Sequence, residues 1–328
     1  MGEVVTTTTA SSLPTPAKST SLFSQIAVHP DGTITRPFVP DAPPSLTGAG
    51  EVVLSRDVPL DASLATSLRI YLPNPPPPTT NSRKLPIILY FHGGGFVLFT
   101  SGTVFYHASC ESMAAAVPAI VVSLDYRLAP EHRLPAAYHD AVAAVHWLLA
   151  GAGAGDPWIA SHGDLSRIII MGSSSGGNMA FHASVRTKAA VLGIVLHQPY
   201  LGGEERTASE EKSGEDAVLP LEANDKLWRL ALPAGEDRDH EFSNPAKSMS
   251  PAAIAGMPRI LVTGSDGDPL IDRQREFVRW LEEHGVDVVD RTDLAGFHAA
   301  ELFVKEKADD LFAVVRDFIA AAAVDGDR

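Results

Sequence analysis

Residues 167–177, RIIIMGSSSGG, constrain this chain more than any other stretch. Ile168 to Met171 form a short apolar run of the kind that builds a buried strand. Gly172, three serines, Gly176 and Gly177 follow at once, and then a helix-like run from Asn178 to Arg186. A strand that turns this sharply into a helix thrusts its central residue outward on a strained backbone, where bulky neighbours would collide. Glycines on both flanks remove the collision. Gly172-x-Ser174-x-Gly176 between strand and helix is therefore read as a nucleophile elbow. It places Ser174 at the positive end of a helix, where a developing anion is favoured. A Gly/Ser-rich loop without chemistry would share the composition, so the reading depends on partners elsewhere in the chain.

The first partner is His92-Gly93-Gly94-Gly95-Phe96, directly after the apolar run LPIILYF at 85–91. Acyl transfer builds negative charge on a carbonyl oxygen, and backbone N–H groups aimed at that oxygen stabilise it. Glycines allow the close approach. The expected oxyanion donors are Gly93, Gly94 and Gly95, with Ser175 just after the nucleophile.

Ser174 is a weak nucleophile until a base takes its proton. With an elbow of this kind the chain order is serine, acid, histidine. His284 and His298 lie late enough. His284 precedes Gly285 at a helix end and suits a dipole partner. His298, in LAGFHA after the last strand-like run, is the expected base. The acid is sought in GSDGDPLID, which offers Asp266, Asp268 and Asp272. Asp272 reads as a helix N-cap and Asp266 as a turn residue. Asp268, held before Pro269, is preferred, although spacing alone leaves Asp266 open.

The remaining features bound the class. Lys and Arg total 26 against 40 Asp and Glu, a net charge of −14, which argues against nucleic acid or an anionic membrane as partner. No stretch of 18 apolar residues offers a membrane span. The Thr/Ser/Pro-rich residues 1–20 lack the apolar core of a secretory signal and read as a disordered tail. Cys110 is the single cysteine, which fits a reducing compartment, the cytoplasm or also the nucleus. No metal-binding motif and no dinucleotide loop is found, so no cofactor is expected.

Strand-like runs at 51–58, 67–72, 85–91, 119–124, 168–171, 191–196, 259–263 and 287–291 alternate, after the first two, with helix-like runs at 104–116, 136–149, 272–284 and 308–322. This predicts an α/β fold, a mostly parallel sheet with helices on both faces. PNPPPPTT within 73–84 reads as a stiff connector. Residues 197–258 interrupt the rhythm and carry an apolar helix pattern at Leu227, Trp228, Leu230 and Leu232. Such an insertion is expected to cap the site, at about 200–250, together with an N-terminal docking segment at about 21–45 that bears Leu22, Phe23, Ile26, Val28 and Phe38. Phe96 and Trp228 are the expected substrate-binding residues. Residues 21–328 would form one domain.

Taken together, FHGGGF (91–96), DYRLAPEHRLPAAYHD (125–140), GSSSGGN (172–178), HEFSNP (240–245), GDPLIDRQ (267–274) and GFHA (296–299) resemble the plant carboxylesterases of the hormone-sensitive-lipase-like group, relatives of the gibberellin receptor. The resemblance implies an α/β-hydrolase fold with a helical cap. It also implies a triad of Ser174, Asp268 and His298 and turnover of small carboxylic esters through an acyl-enzyme. The family elbow often reads GDSAGG, where this chain has Ser173 and Ser175. Two other functions share the fold: a hormone receptor, whose branch typically lacks the histidine kept here at 298, and a lactone hydrolase or dehydratase of plant secondary metabolites. Neither the natural ester nor the oligomeric state is legible.

Overall fold

The computed structural model describes residues 21–46, 51–76, 84–149 and 155–325. The expected tail and most of the Pro-rich connector lie outside the described residues. Eight strands form one sheet: β1 (Val53–Asp61), β2 (Thr66–Pro73), β3 (Leu85–Phe91), β4 (Ile120–Asp125), β5 (Gly163–Ser173), β6 (Gly193–His197), β7 (Ile260–Gly267) and β8 (Val288–Phe297). Their order across the sheet is β8-β7-β6-β5-β3-β4-β2-β1. β2 runs antiparallel to β1 and β4, and the other pairings are parallel.

Parallel strands covered on both faces read as unbroken apolar runs, which is why LPIILYF carries no polar residue. The alternation still operates in space. Ile87, Leu89 and Phe91 enter one core, while Ile88 and Tyr90 enter the other. The major helices are α1 (Val104–Ala116), α2 (Ala136–Leu149), α3 (Ser175–Thr187), α4 (Leu221–Ala231), α5 (Ile271–Glu283) and α6 (Lys305–Asp325). α2 and α3 supply Ala137, Ala141, Ala144, Met179, Ala180 and Ala183 to the first core, and small residues let them sit close to each other. α1 and α6 cover the opposite face with Tyr106, Cys110, Met113, Phe312 and Val315. Among the described residues no helix is long and apolar enough to cross a membrane.

Two strands are longer than their apolar runs. β5 begins at Gly163, ahead of Ile168, and β8 continues through Gly296 to Phe297, with register shifts against β7 at Leu294. The extra pairing comes from the neighbouring strand and leaves no apolar trace in the sequence.

The N-terminal segment packs by its first half. Phe23 and Ile26 are buried, whereas Val28 and Phe38 are 51% and 89% exposed, against the expectation that both would dock. Arg36 secures the segment. Its guanidinium pairs with Glu131 and donates to the carbonyls of Val97 (2.7 Å) and Ala129 (2.8 Å).

The insertion after β6 contains two short turns, Ala208–Glu211 and Lys212–Glu215, and then α4. Thr207 and Glu210 form a reciprocal capping box on the first turn. Glu210 is also buried against Arg273 of α5, with Nε and Nη2 at 3.2 and 3.1 Å from the carboxylate. The insertion touches the N-terminal segment where Ser21 Oγ donates to the Val218 carbonyl and Lys226 Nζ to that of Ile26.

Removing one member of a buried ion pair strands the other charge, which costs about 3–5 kcal/mol. Arg273→Met is therefore expected to lower the thermal midpoint clearly, and the double variant Arg273→Met with Glu210→Leu to recover much of the loss. Differential scanning fluorimetry of the two variants is the check, and equal destabilisation by both would contradict it.

Candidate active site

The carboxyl ends of β5, β6, β7 and β8 meet at one edge of the sheet, and each delivers a side chain there. Ser174 stands between β5 and α3 with φ 55° and ψ −120°. This is a costly backbone for a residue with a Cβ, of order 1–3 kcal/mol. It is held by Ser174 N–H donating to the His197 carbonyl (2.9 Å) and by its own carbonyl accepting from Tyr200 N–H (2.9 Å). The flanking glycines are obligatory by contact. A Cβ on Gly172 would lie 2.0 Å from the Gly176 oxygen, and one on Gly176 would lie 1.9 Å from the Phe91 oxygen.

His298 follows β8. Its Nε2 lies 3.0 Å from Ser174 Oγ and its Nδ1 lies 3.0 Å from Asp268 Oδ2. A carboxylate accepts, so Nδ1 carries the ring proton and Nε2 is left as the acceptor facing the serine hydroxyl. All three side chains are buried. Burial disfavours the imidazolium, yet the charge of Asp268 and its hydrogen bond outweigh that cost, and the His298 pKa is raised.

Of the carboxylates that spacing left open, Asp268 is the one in contact with the imidazole. Asp268 lies on the line, its Oδ1 accepting from Leu270 N–H (2.9 Å) and its Oδ2 from Gln274 Nε2 (2.9 Å). Asp266 points outward, its side chain 68% exposed and paired with Arg275. Asp272 is not the N-cap expected of it. α5 begins at Ile271 with Leu270 at the cap, so Asp272 sits inside the first turn and accepts from Ser209 N–H (2.8 Å). His284 lies at the far end of α5, its Nδ1 2.7 Å from the Trp280 carbonyl.

The glycines of the HGGG run divide. Gly94, at φ 117°, lines a cavity of about 390 Å³ together with Ser174 and His298. Gly93 lies against the nucleophile: a Cβ there would be 3.1 Å from Ser174 Cβ and 2.6 Å from Tyr106 Oη. Gly95, at φ 62°, rests on Leu227 of α4. His92 orients the run. It is buried and stacked on Tyr126 with ring centroids 4.3 Å apart, and burial pushes its pKa down to about 4. As a neutral ring it donates from Nδ1 to the Gly93 carbonyl (2.7 Å). Across a trans peptide the Gly94 N–H then points the opposite way. Ser175 opens α3 beside the nucleophile.

Phe96 and Trp228 do not line this cavity. Phe96 packs against Tyr138, Tyr200 and Trp228, and Trp228 stacks on Tyr200 at 4.4 Å, all of them buried. The pattern Leu227-Trp228-Leu230 marks the face of α4 turned into the core. The insertion instead meets the cavity at Ala217 and Val218, and the N-terminal segment meets it at Ser21, Leu22, Phe23 and Gln25.

Two glutamines are absent from the sequence-based site. Gln274 supports Asp268, as above. Gln198, one residue beyond β6 at φ 44°, joins β7 to the loop that carries His298. Its Nε2 donates to the Phe297 carbonyl (3.0 Å) and to Ser265 Oγ (3.0 Å), and its Oε1 accepts from Ala299 N–H (2.7 Å). The only sequence hint was their position just after a strand end and just after the acid.

Comparison with known proteins gives the family and the fold. The family model described as the alpha/beta hydrolase fold matches residues 88–302, and the chain belongs to that family. Within it, the chain is one of the plant carboxylesterases. It is 40% identical to probable carboxylesterase 8 of Arabidopsis thaliana, covering 95% of this chain and 97% of the relative. It is 43% identical to a 3-O-acetylpapaveroxine carboxylesterase of Papaver somniferum, covering 81% of this chain and 90% of the relative. Among solved structures, an esterase of Pyrobaculum calidifontis superposes with a TM-score of 0.69 at 26% identity, covering 83% of this chain and 85% of the other.

Gln198→Leu removes both hydrogen bonds that bracket His298. The expected result is a fall of about 10- to 100-fold in kcat for an aryl ester with little change in KM, because a misplaced base costs rate rather than binding. Steady-state kinetics decides it, and an unchanged kcat would count against the bracket.

Proposed function

We propose that this chain is a serine carboxylesterase acting on small uncharged esters. The observation that carries the reading is the continuous hydrogen-bonded line Asp268–His298–Ser174, buried at its base and open to an apolar cavity at the serine. In this reading His298 Nε2 takes the Ser174 proton as Oγ attacks the ester carbonyl. The oxyanion forms beside Gly94, whose N–H is turned away from His92, with the Ser175 N–H at the start of α3 as second donor. Gly93 and Gly95 hold the loop in place. His298 then protonates the departing alcohol, and the acyl group stays on Ser174. A water molecule, activated by the same imidazole, attacks the acyl-enzyme and releases the acid. Asp268 keeps the ring in the reactive tautomer and stabilises its cation.

The N-terminal segment and the insertion together roof the cavity in this reading, since Ser21 and Val218 are joined by a hydrogen bond at its rim. The placement of a single buried cysteine fits the cytoplasm as the site of action. A tulip relative carries a chloroplast location in its name, so subcellular fractionation is the direct check.

Two outcomes are expected. Ser174→Ala lowers hydrolysis of p-nitrophenyl butyrate by about 10⁴-fold or more with the fold retained by circular dichroism. Retained turnover would end the proposal. In the second, kcat/KM falls as pH drops through the His298 pKa, because protonated imidazole cannot act as base. The raised value places that acidic limb above the ordinary 6.5. Asp268→Asn removes the main stabiliser of the cation, so the limb moves to lower pH while kcat falls by about 10³–10⁴-fold. A limb that stays in place would exclude Asp268 as the partner.

A further inference from the structure

The wall of the cavity carries a run of aromatic rings that extends from the HGGG loop, where Phe99 stands against Gly94, to the turn after His298. Phe99, Phe105, Tyr106 and Phe303 form a continuous chain of rings, with centroids 5.0 Å apart for Phe99 and Phe105, 5.0 Å for Phe105 and Tyr106, and 5.9 Å for Phe105 and Phe303. Phe23 of the N-terminal segment joins it at 6.0 Å from Phe99. No Asp, Glu, Lys or Arg lines the cavity among the described residues. Phe303 is 59% exposed although it stands at this apolar wall. Phe303 shares the lining of this cavity with Ser174.

Reaction geometry says which part of the ester meets these rings. The alcohol leaves only if its oxygen comes within proton reach of His298 Nε2, so it departs on the His298 side of Ser174. The lining that the chain supplies directly after His298 is a turn with Ala299, Leu302 and Phe303, and Phe105 stands beside Phe303. We infer that the enzyme selects esters whose alcohol portion carries a planar aromatic ring, held against Phe303 and Phe105. This rests on the esterase reading above and names its substrate class. Ring-on-ring contact, offset or edge-on, adds to what burial of equal apolar area supplies, and a saturated ring of the same size forgoes that part.

The test compares benzyl acetate with cyclohexylmethyl acetate, two esters of primary alcohols with nearly equal apolar area. The mirror pair, methyl phenylacetate and methyl cyclohexylacetate, places the ring on the acyl side. The wild-type chain should favour benzyl over cyclohexylmethyl acetate by about three- to tenfold in kcat/KM, a factor set by the aromatic contact, with a smaller preference in the mirror pair. Phe303→Leu keeps apolar bulk but removes the ring face, so the ratio should fall towards one. Phe303→Tyr should keep it. At 59% exposure the Phe303 position tolerates both replacements, and thermal melting of the two variants confirms folding. A wild-type ratio near one, a ratio that survives Phe303→Leu, or a larger preference in the acyl pair would each overturn the inference. Loss of all four activities in Ser174→Ala alongside such a result would leave the esterase reading standing. Activity retained in Ser174→Ala would remove both.

Discussion

The backbone of Ser174 is the constraint on which the rest of the structure depends. At φ 55° and ψ −120° it is unfavourable by itself, and isolated from its surroundings the segment would relax. Three elements prevent that. β3 ends with the Phe91 carbonyl pressed on Gly176, β6 ends with the His197 carbonyl accepting from Ser174 N–H, and the chain just beyond β6 returns Tyr200 N–H to the Ser174 carbonyl. The strained turn exists because the centre of an eight-stranded sheet encloses it. The same sheet fixes where β7 and β8 end, and hence how far Asp268 and His298 stand from the hydroxyl. Gln198 ties the two requirements together: it is the residue after His197, and its amide grips both sides of His298.

Electrostatics at the site is set by burial and by what burial leaves as a partner. His92 and His298 are both enclosed, yet their pKa values move in opposite directions. His92 has a backbone carbonyl and two tyrosine rings beside it and no contacting carboxylate among the described residues, so desolvation prevails and the ring stays neutral down to about pH 4. His298 faces a carboxylate, and the cation is supported. The first ring serves as a hydrogen-bond donor that aims a glycine loop. The second, in the esterase mechanism proposed above, is the base. One residue type performs two tasks because one neighbour differs.

Local patterns were readable without tertiary information. LPIILYF marks β3 to the residue, and the runs at 104–116 and 136–149 mark α1 and α2 to the residue, because apolar sequence and helix-forming composition end where the elements end. The elbow and the HGGG loop were readable from their glycines directly after an apolar strand, although several of the contacts that require those glycines come from other elements, Phe91 on Gly176 and Leu227 on Gly95. Among three carboxylates close together in sequence, the local pattern preferred Asp268 but spacing alone left Asp266 open. Asp266, Asp268 and Asp272 differ in direction: one faces solvent, one faces the imidazole, and one faces Ser209 across an insertion more than fifty residues away in the chain. The N-cap expected at Asp272 failed because the helix begins two residues earlier than that cap requires, with Leu270 at the cap and the Asp268 carboxylate receiving the Leu270 N–H.

Phe96 and Trp228 illustrate the same limit. An aromatic residue next to an oxyanion loop and another on an insertion helix are natural candidates for a substrate wall, but both satisfy each other and two tyrosines in the core. The rings that do line the cavity at the serine come from the N-terminal segment, α1, the loop before it and the turn after His298, and nothing in the local pattern distinguishes them from core residues. The sequence alone determined the sheet-and-helix alternation, the nucleophile and its glycines, and a catalytic order along the chain, because each is dictated by sterics or chemistry within a few residues. Only the tertiary structure decided which aspartate meets the imidazole, which glutamines hold the pair in place and which rings wall the cavity. Those depend on where a side chain points once distant segments have packed, and direction is a property of the packing.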